Sequence, residues 1–458
     1  MSSLQQYLDL YRDHRSLVEG SSHALLNGPR AAAAAFLAQT ALPTNRTERY
    51  KYTNADAAFA PDYGLNLNRH LAVADPYKTY HCAVAGITPH VMYVVNDVVV
   101  PMRGAEKLPE GLRVMSLNEA AAVCPELLEK YYHRAAAQEP ANAHKHQDRT
   151  ERDAVTQLNT LLAQDGVLVH LAEGVRLETA IQIVFVSSTG QERLMSNRRL
   201  LVVAEADAEA HILLCEHADK GHEFLTTQVT EVYAAPRAAV NLYTIEETQS
   251  QNTRFSNVYI EQEAESRVSH NGIALTTGLS RTMINARLLG TGADCQTTGA
   301  VIADGKQRVE NNLLVDHAAE SCTSDMLYKY VLDQESQATF AGKVLVRPGA
   351  QKTLSHQSNA NLCLSPEAHA NSLPMLEIYA DDVRCNHGST IGKLDEAALF
   401  YLRQRGLPES EARLLLQHAF INDVLQRVPI NALRERLSHL VEMRFRGEER
   451  RCQGCRLC

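Results

Sequence analysis

Between residues 167 and 390 the chain is a succession of short β-rich runs, and the residues that separate them recur with a period few folds can use. Runs such as AIQIVFVSS (180–188), RRLLVVAEADAEAHILLCEH (198–217), VNLYTIEE (240–247), NVYIEQE (257–263) and TFAGKVLVRPGA (339–350) alternate with small or acidic corners. Corners at Ala208, Ala239, Ala264, Ala293, Ala319, Ala350 and Asp382 stand about 25 to 32 residues apart, the range of repeat architectures. Leu-rich helical periodicity is missing from this span. Strands that each add to their counterpart one turn earlier would bury small and β-branched side chains in a continuous core. The pattern therefore predicts a mainly β chain built on a right-handed parallel β-helix. A β-sandwich is the alternative that short strands also allow.

The flanks read differently. Residues 4–17 and 30–39 have helical periodicity, and VMYVVNDVVVP (91–101) reads as a hairpin turning at Asn96-Asp97. These features predict a separate N-terminal mixed α/β domain. The polar, Ala- and His-rich stretch 135–153 has little to bury and reads as a flexible linker, so the first unit ends near residue 155. The β-helix core then spans 156–394. Helical signals return after Asp395: DEAALFYLRQRG ends in a glycine suited to follow a helix, and a second helix opens after Pro408 with Leu416, Ala419, Phe420 and Val424 on one stripe. A third begins at Pro429 and repeats Leu433, Leu437, Leu440 and Val441, giving a helical lobe over 395–446 and a Cys-containing tail over 447–458.

At 458 residues, two or three units with ample apolar content are expected. The balance of 45 Lys and Arg against 54 Asp and Glu gives a net charge of -9, which argues against nucleic acid or an anionic membrane surface as partner. No window approaches the roughly 20 apolar residues of a membrane span, and the first residues lack a signal-peptide core, so a cytoplasmic protein is expected. In a reducing compartment the ten cysteines read as buried thiols or metal ligands instead of disulfides. Cys82, Cys124, Cys215, Cys295, Cys322 and Cys363 are single thiols among apolar or β-rich neighbours, so packing is the expectation for them. The terminal CQGCRLC spaces Cys452, Cys455 and Cys458 like three ligands of a metal site, but a tail without apolar anchors is the plainer reading.

The most chemically equipped segment is PMLEIYADDVRCNHGSTIGKLDE (374–396), where Cys385 and His387 stand two residues apart. On an extended strand both side chains share a face, and a thiol beside an imidazole can share a metal. Two ligands fall short of the three or four a metal site needs, so packing within a β face is the alternative. A nucleophilic Cys385 with His387 as base would require hydrogen-bond contact and a third orienting group. Gly388 to Gly392 is one residue too short for a phosphate loop, and Leu394 stands where Ser or Thr would hold magnesium. Gly388 and Gly392 instead read as corner residues of the last coil, and no nucleotide site is expected.

Six motifs together resemble one family: RTERYKYT (46–53), QLNTLLAQDG (157–166), TSDMLYKYVLDQESQATFAGKVLV (323–346), AQKTLSHQSNANLCLS (350–365), the segment 374–396 and LFYLRQRGLPESEA (399–412). The chain is similar to the SufD family, β-helical scaffold subunits of the SufB-SufC-SufD iron-sulfur cluster assembly complex. The resemblance implies a scaffold without catalysis of its own that pairs with SufB through the β-helices and binds one SufC ATPase through its helical lobe. ATP-driven SufC dimerisation would open the seam where a cluster is built. It further implies that Cys385 and His387 face that seam as ligands of iron or a transient iron-sulfur cluster, and that Phe400, Tyr401 and Arg405 anchor SufC. SufB carries a cysteine where this chain has Ala368, and an acidic residue where Gly388 follows His387; both departures favour SufD over its paralogue. A purely structural partner, with no ligand role for either residue, is the other reading. An exposed pairing edge predicts a homodimer when the chain is isolated.

Overall fold

The computed structural model of the chain describes residues 3–80, 82, 89–137 and 152–448. The centre is a parallel β-solenoid of about eight turns, with helices from both ends of the chain laid on its outside. Among the described residues two sheets, of ten and nine strands, share the turns. From Arg193–Ala204 to Thr353–Cys363 each strand pairs in parallel with the strands two before and two after it, so the chain switches sheet at every corner. The recurring corners have a backbone cause. Asp207, Arg237, Glu265, Gly292, Ser321 and Lys352 all adopt left-handed φ values between 58° and 75°. None is β-branched, the class for which positive φ is most strained. Each is followed by a small buried residue, Ala208, Ala238, Ser266, Ala293, Cys322 or Thr353, because the chain re-enters the interior there.

Stacking in register turns sequence alternation into columns. Val169, Val202, Val232, Ile260, Ala286, Val315, Val344 and Leu376 follow one another across eight successive strands of one sheet, all facing inward. Each fully buried aliphatic of this kind contributes about 1.5–3 kcal/mol relative to exposure. Where a ring must fit, the column thins. Gly299 lies beside Tyr328, and a Cβ on it would stand 2.3 Å from the ring. Tyr328 in turn packs on Phe340 with centroids 5.0 Å apart.

The outer faces are covered unequally. Helices Ser3–Asp13 and Ala154–Leu162 seat on the nine-stranded sheet through Met195, Leu225 and Phe255. Helices Leu117–Val123 and Pro125–Tyr131 cover more of the same face. The QLNTLLAQDG motif is explained by this packing: Asn159 donates to the carbonyls of Arg198 and Thr227 at 3.2 and 3.1 Å. RTERYKYT is also a docking element, with Arg49 donating to Asn285 at 2.9 Å and the Arg281 guanidinium 3.7 Å from the centre of the Tyr50 ring. Helices Glu409–Leu425 and Asn431–Arg446 lie on the ten-stranded sheet.

Two expectations need correction. The hairpin His90–Val95 and Val98–Val99 forms, with Asn96 at φ 57°, but it is no separate unit. Its first strand extends the ten-stranded sheet in parallel with Ile181–Ser187. The stretch 135–153 begins within a helix, Arg134–Ala137, held by Glu231 and Tyr233; residues 138–151 lie outside the described residues.

The two ends of the solenoid differ. At the first turns, the antiparallel strands Val98–Val99 and Leu112–Ser116 close the sheets. At the last turn, His369–Ile378 and Val383–Gly392 are the outermost strands, with no further strand beyond them among the described residues.

Candidate functional site

Cys385 and His387 lie on Val383–Gly392, the outermost strand of the ten-stranded sheet. They stand in register with Ser355 and Gln357, both buried, so the pair shares the inward-facing side of the strand, as the two-residue spacing requires. Cys385 ends a column that runs through Val240, Val268, Cys295, Ser324 and Ser355. On interior turns such residues are covered from both sides; on the last turn only one side is covered. Cys385 is therefore half-buried and His387 exposed.

The floor beneath them is polar. Gln357 donates through Nε2 to the Met375 carbonyl at 3.1 Å, while its buried Oε1 has no partner among the described residues. Asn361 donates to the Thr390 carbonyl at 2.9 Å, fixing the outermost strand to the turn below. Around this rim Leu354, Met375, Ile378 and Ile391 expose apolar side chains, Ile391 to 55%. Burial pushes the Cys385 thiol up from its ordinary value, the reverse of an activated nucleophile. Among the described residues Cys385 and His387 belong to no group of three His, Cys, Asp or Glu donors lying within 4.8 Å of one another, so an ion held here needs ligands from elsewhere. Gly388 and Gly392 are strand residues, not corners; neither has a left-handed φ, because the strand runs through both.

The outermost strand leads directly into helix Glu396–Gln404, capped by Asp395, whose carboxylate accepts from the Ala397 and Ala398 amides at 2.9 and 3.1 Å. Only Leu399 is buried. Phe400 and Tyr401 are 63% and 56% exposed, and the Arg405 guanidinium stands 5.1 Å from the centre of the Tyr401 ring. The three predicted anchors thus stand together, two on this exposed helix and Arg405 at its C-cap. The next helix departs from its predicted stripe: Ala412, Ile421, Val424 and Leu425 are buried, while Ala419 is exposed. The stripe follows the sheet it covers, where Lys329 contacts both the Phe420 ring and Asp423, and Arg427 pairs with Asp325 at 2.9 Å. Leu433, Leu437, Leu440 and Val441 are buried as expected. The tail cysteines 452, 455 and 458 fall outside the described residues.

Sequence reasoning missed a buried ionic layer inside the solenoid. Arg198 donates to Glu216 at 2.6 Å, and Arg254 lies 3.5 Å from both Glu216 and Glu246, with Ser280 donating to Glu246 at 2.6 Å. A cavity of about 30 Å³ adjoins it, lined in part by Thr244, Arg254 and His270. The signal was present, since these charges occupy inward positions of alternating runs, but only the stacked turns show which charges meet.

The fold and its equipped, uncovered end define a two-sheet β-solenoid protein with a helical lobe. Residues 185–420 match the family described as SUF system FeS cluster assembly, SufBD core domain, and residues 1–183 match the SufBD protein N-terminal region. The chain belongs to the SufBD family of iron-sulfur cluster assembly proteins. It is 27% identical over 439 residues to an iron-sulfur cluster assembly SufBD family protein of Synechocystis, covering 94% of this chain and 93% of that one. It is 23% identical over 342 residues to the iron-sulfur cluster assembly protein SufD of Bacillus subtilis, covering 74% and 75%. The match to SufD of Escherichia coli is 32% identical over 136 residues and spans 32% of that protein.

Proposed function

We propose that this chain is the SufD-type scaffold of a SUF machine, pairing with a SufB-type paralogue through its last turn and seating a SufC ATPase on its helical lobe. The single observation that carries the reading is the asymmetry of the solenoid, which begins on antiparallel strands of 2 and 5 residues and ends, among the described residues, on two 10-residue parallel strands whose outer edges are unpaired. An unpaired edge with exposed apolar residues is a template for another chain. Its partner would supply the missing ligands, so that Cys385 and His387 hold iron or a nascent cluster transiently as cargo. Two isolated copies have the same edges free, which supports a homodimer in the absence of the paralogue.

The exposed Phe400, Tyr401 and Arg405 support helix-in-groove docking of the ATPase. No helix among the described residues is long and apolar enough to cross a membrane, and with the acidic charge balance this supports a cytoplasmic scaffold that binds neither lipid nor nucleic acid. Catalysis and nucleotide binding are assigned to the ATPase. The test is purification of the tagged chain from its own cells, identification of the untagged neighbours, and assay of iron and sulfide. Capture of a SufB-type and a SufC-type chain with iron and sulfide is expected. Capture of a SufD-type chain instead would make this protein the SufB-type paralogue, and capture of neither would overturn the reading.

A further inference from the structure

On the flank of the solenoid, far in sequence from the strand that carries His387, Cys82, Cys215 and His217 converge. Their two Sγ atoms and one imidazole nitrogen all lie within 4.8 Å of one another. They are the one such grouping of His, Cys, Asp or Glu donors among the described residues. Cys215 and His217 alternate on strand Glu209–Ala218 and face outward together, while Cys82 comes from the segment that precedes the hairpin. Cys82 Sγ stands 3.6 Å from His217 Nε2. That matches the edge of a tetrahedron around an ion with roughly 2.3 Å bonds to sulfur and 2.0–2.1 Å to nitrogen.

A fourth donor is in place. Gln182, on the neighbouring strand and fully buried, donates through Nε2 to Cys82 Sγ at 3.1 Å and to Cys215 Sγ at 3.4 Å. Its Oε1 is buried without a partner among the described residues. Half a turn of the terminal amide would exchange the two atoms and present the oxygen to the sulfurs' side, where an ion would accept it. A buried amide oxygen without a partner costs about 1–3 kcal/mol, and the turn gives up the two N–H···S hydrogen bonds, so coordination of the oxygen to a cation is what would compensate both.

We infer that Cys82, Cys215, His217 and the Gln182 side-chain oxygen form a four-coordinate site for one thiophilic divalent cation of the Zn2+ or Fe2+ class. Two thiols lose their protons to solvent as the cation binds. Two thiolates against a divalent ion leave the buried site neutral, whereas a monovalent ion would leave an uncompensated negative charge in a poorly solvated place. Soft sulfur with imidazole selects zinc and iron over magnesium or calcium. The bound ion would tie residue 82 to the outer face of the ten-stranded sheet, next to the strand that opens it. The site is independent of the uncovered edge and does not rest on the scaffold reading.

The test uses the reduced full chain in which Cys452, Cys455 and Cys458 are replaced by alanine and Cys385→Ala removes the edge thiol, with Co2+ as the probe. One Co2+ per chain with thiolate charge-transfer absorption and the intense visible bands of a tetrahedral centre is expected, displaced by Zn2+ with loss of colour. Added singly, Cys82→Ala and Cys215→Ala should each abolish the four-coordinate spectrum, and His217→Ala should weaken binding at least tenfold. Circular dichroism establishes that each variant is folded. Should Cys215→Ala fail to fold, Cys82→Ala, at a half-buried position, decides alone. An absent cobalt spectrum in the reduced protein, or one unmoved by Cys82→Ala, would overturn the proposal.

Discussion

His387 lies in register on Gln357, at the outer end of an inward-facing column that runs back through Met326, Thr297 and His270. Gln357 is fully buried because the strand of His387 covers it; His387 is exposed because no strand among the described residues covers its own. The same column holds a buried histidine at position 270, so exposure here comes from position in the stack and not from residue type.

Replacing His387 with alanine should leave folding untouched, since the strand is held by backbone pairing and by the Asn361 bond to Thr390. A surface truncation of this kind changes stability by about 0.5 kcal/mol or less. The SUF complex should assemble in normal amount while its iron and sulfide content falls. Normal cluster content in the purified variant would remove His387 from the site.

The proposed docking of the ATPase is best tested at the exposed side chains of helix Glu396–Gln404. Phe400→Ala with Tyr401→Ala should weaken ATPase binding by about 2 kcal/mol or more, the scale of paired aromatic anchors, with the melting temperature unchanged. Arg405→Ala should give a smaller loss, since its guanidinium already stacks on Tyr401. Deletion of residues 395–458 is a poorer test: Ile421, Val424, Leu425, Leu433 and Leu437 would no longer cover the ten-stranded sheet, and precipitation is expected. Full-strength binding by the double variant, measured calorimetrically, would refute the docking assignment.

Inside the solenoid, Glu216→Ala should be costly, because it leaves Arg198 and Arg254 buried without their shared carboxylate. Breaking such a pair from one side costs about 3–5 kcal/mol. Urea unfolding should show a large drop in midpoint. A change under about 1 kcal/mol would mean that solvent reaches the layer.

Stability should fall on acidification from about pH 7 to about pH 5. Burial pushes the His270 and His317 imidazoles down to about 4 and His133 to about 3, against about 6.5 in the unfolded chain. Below about 6.5 the unfolded chain therefore binds more protons, and stability is lost as pH falls toward the folded values. Asp97 works the other way: burial raises its carboxyl to about 6, so its contribution is lost as pH rises from about 4 to about 6. Burial also lowers His170 and His211 and raises the Glu231 carboxyl, so five histidines stand against two carboxyls and set the net sign. A urea midpoint higher at about pH 5 than at about pH 7 would contradict this balance.

Much of the architecture was legible because it is local. The corner period marked the turns to within a residue or two, since a left-handed residue followed by a small buried one is a property of four consecutive positions, as at Asp207-Ala208 and Gly292-Ala293. The shared face of Cys385 and His387 follows from strand geometry alone. The hairpin at Asn96 was also readable, but its membership of the main sheet was not, because pairing with Ile181–Ser187 joins residues far apart in sequence. The stripe of helix Glu409–Leu425 was misread for a related reason: several of its positions are apolar, and the sheet beneath decides which are covered.

The sequence by itself determined a coiled parallel sheet, its corners, a thiol and an imidazole on one face, and the helix that follows them. All of these depend on neighbours within a turn of chain, where backbone sterics and side-chain alternation act directly. Tertiary structure alone decided that His387 is uncovered while Gln357 is sealed, that Arg198 meets Glu216, and that Cys82 reaches Cys215 and His217. Those outcomes depend on which turn stacks on which, and on where the stacking stops.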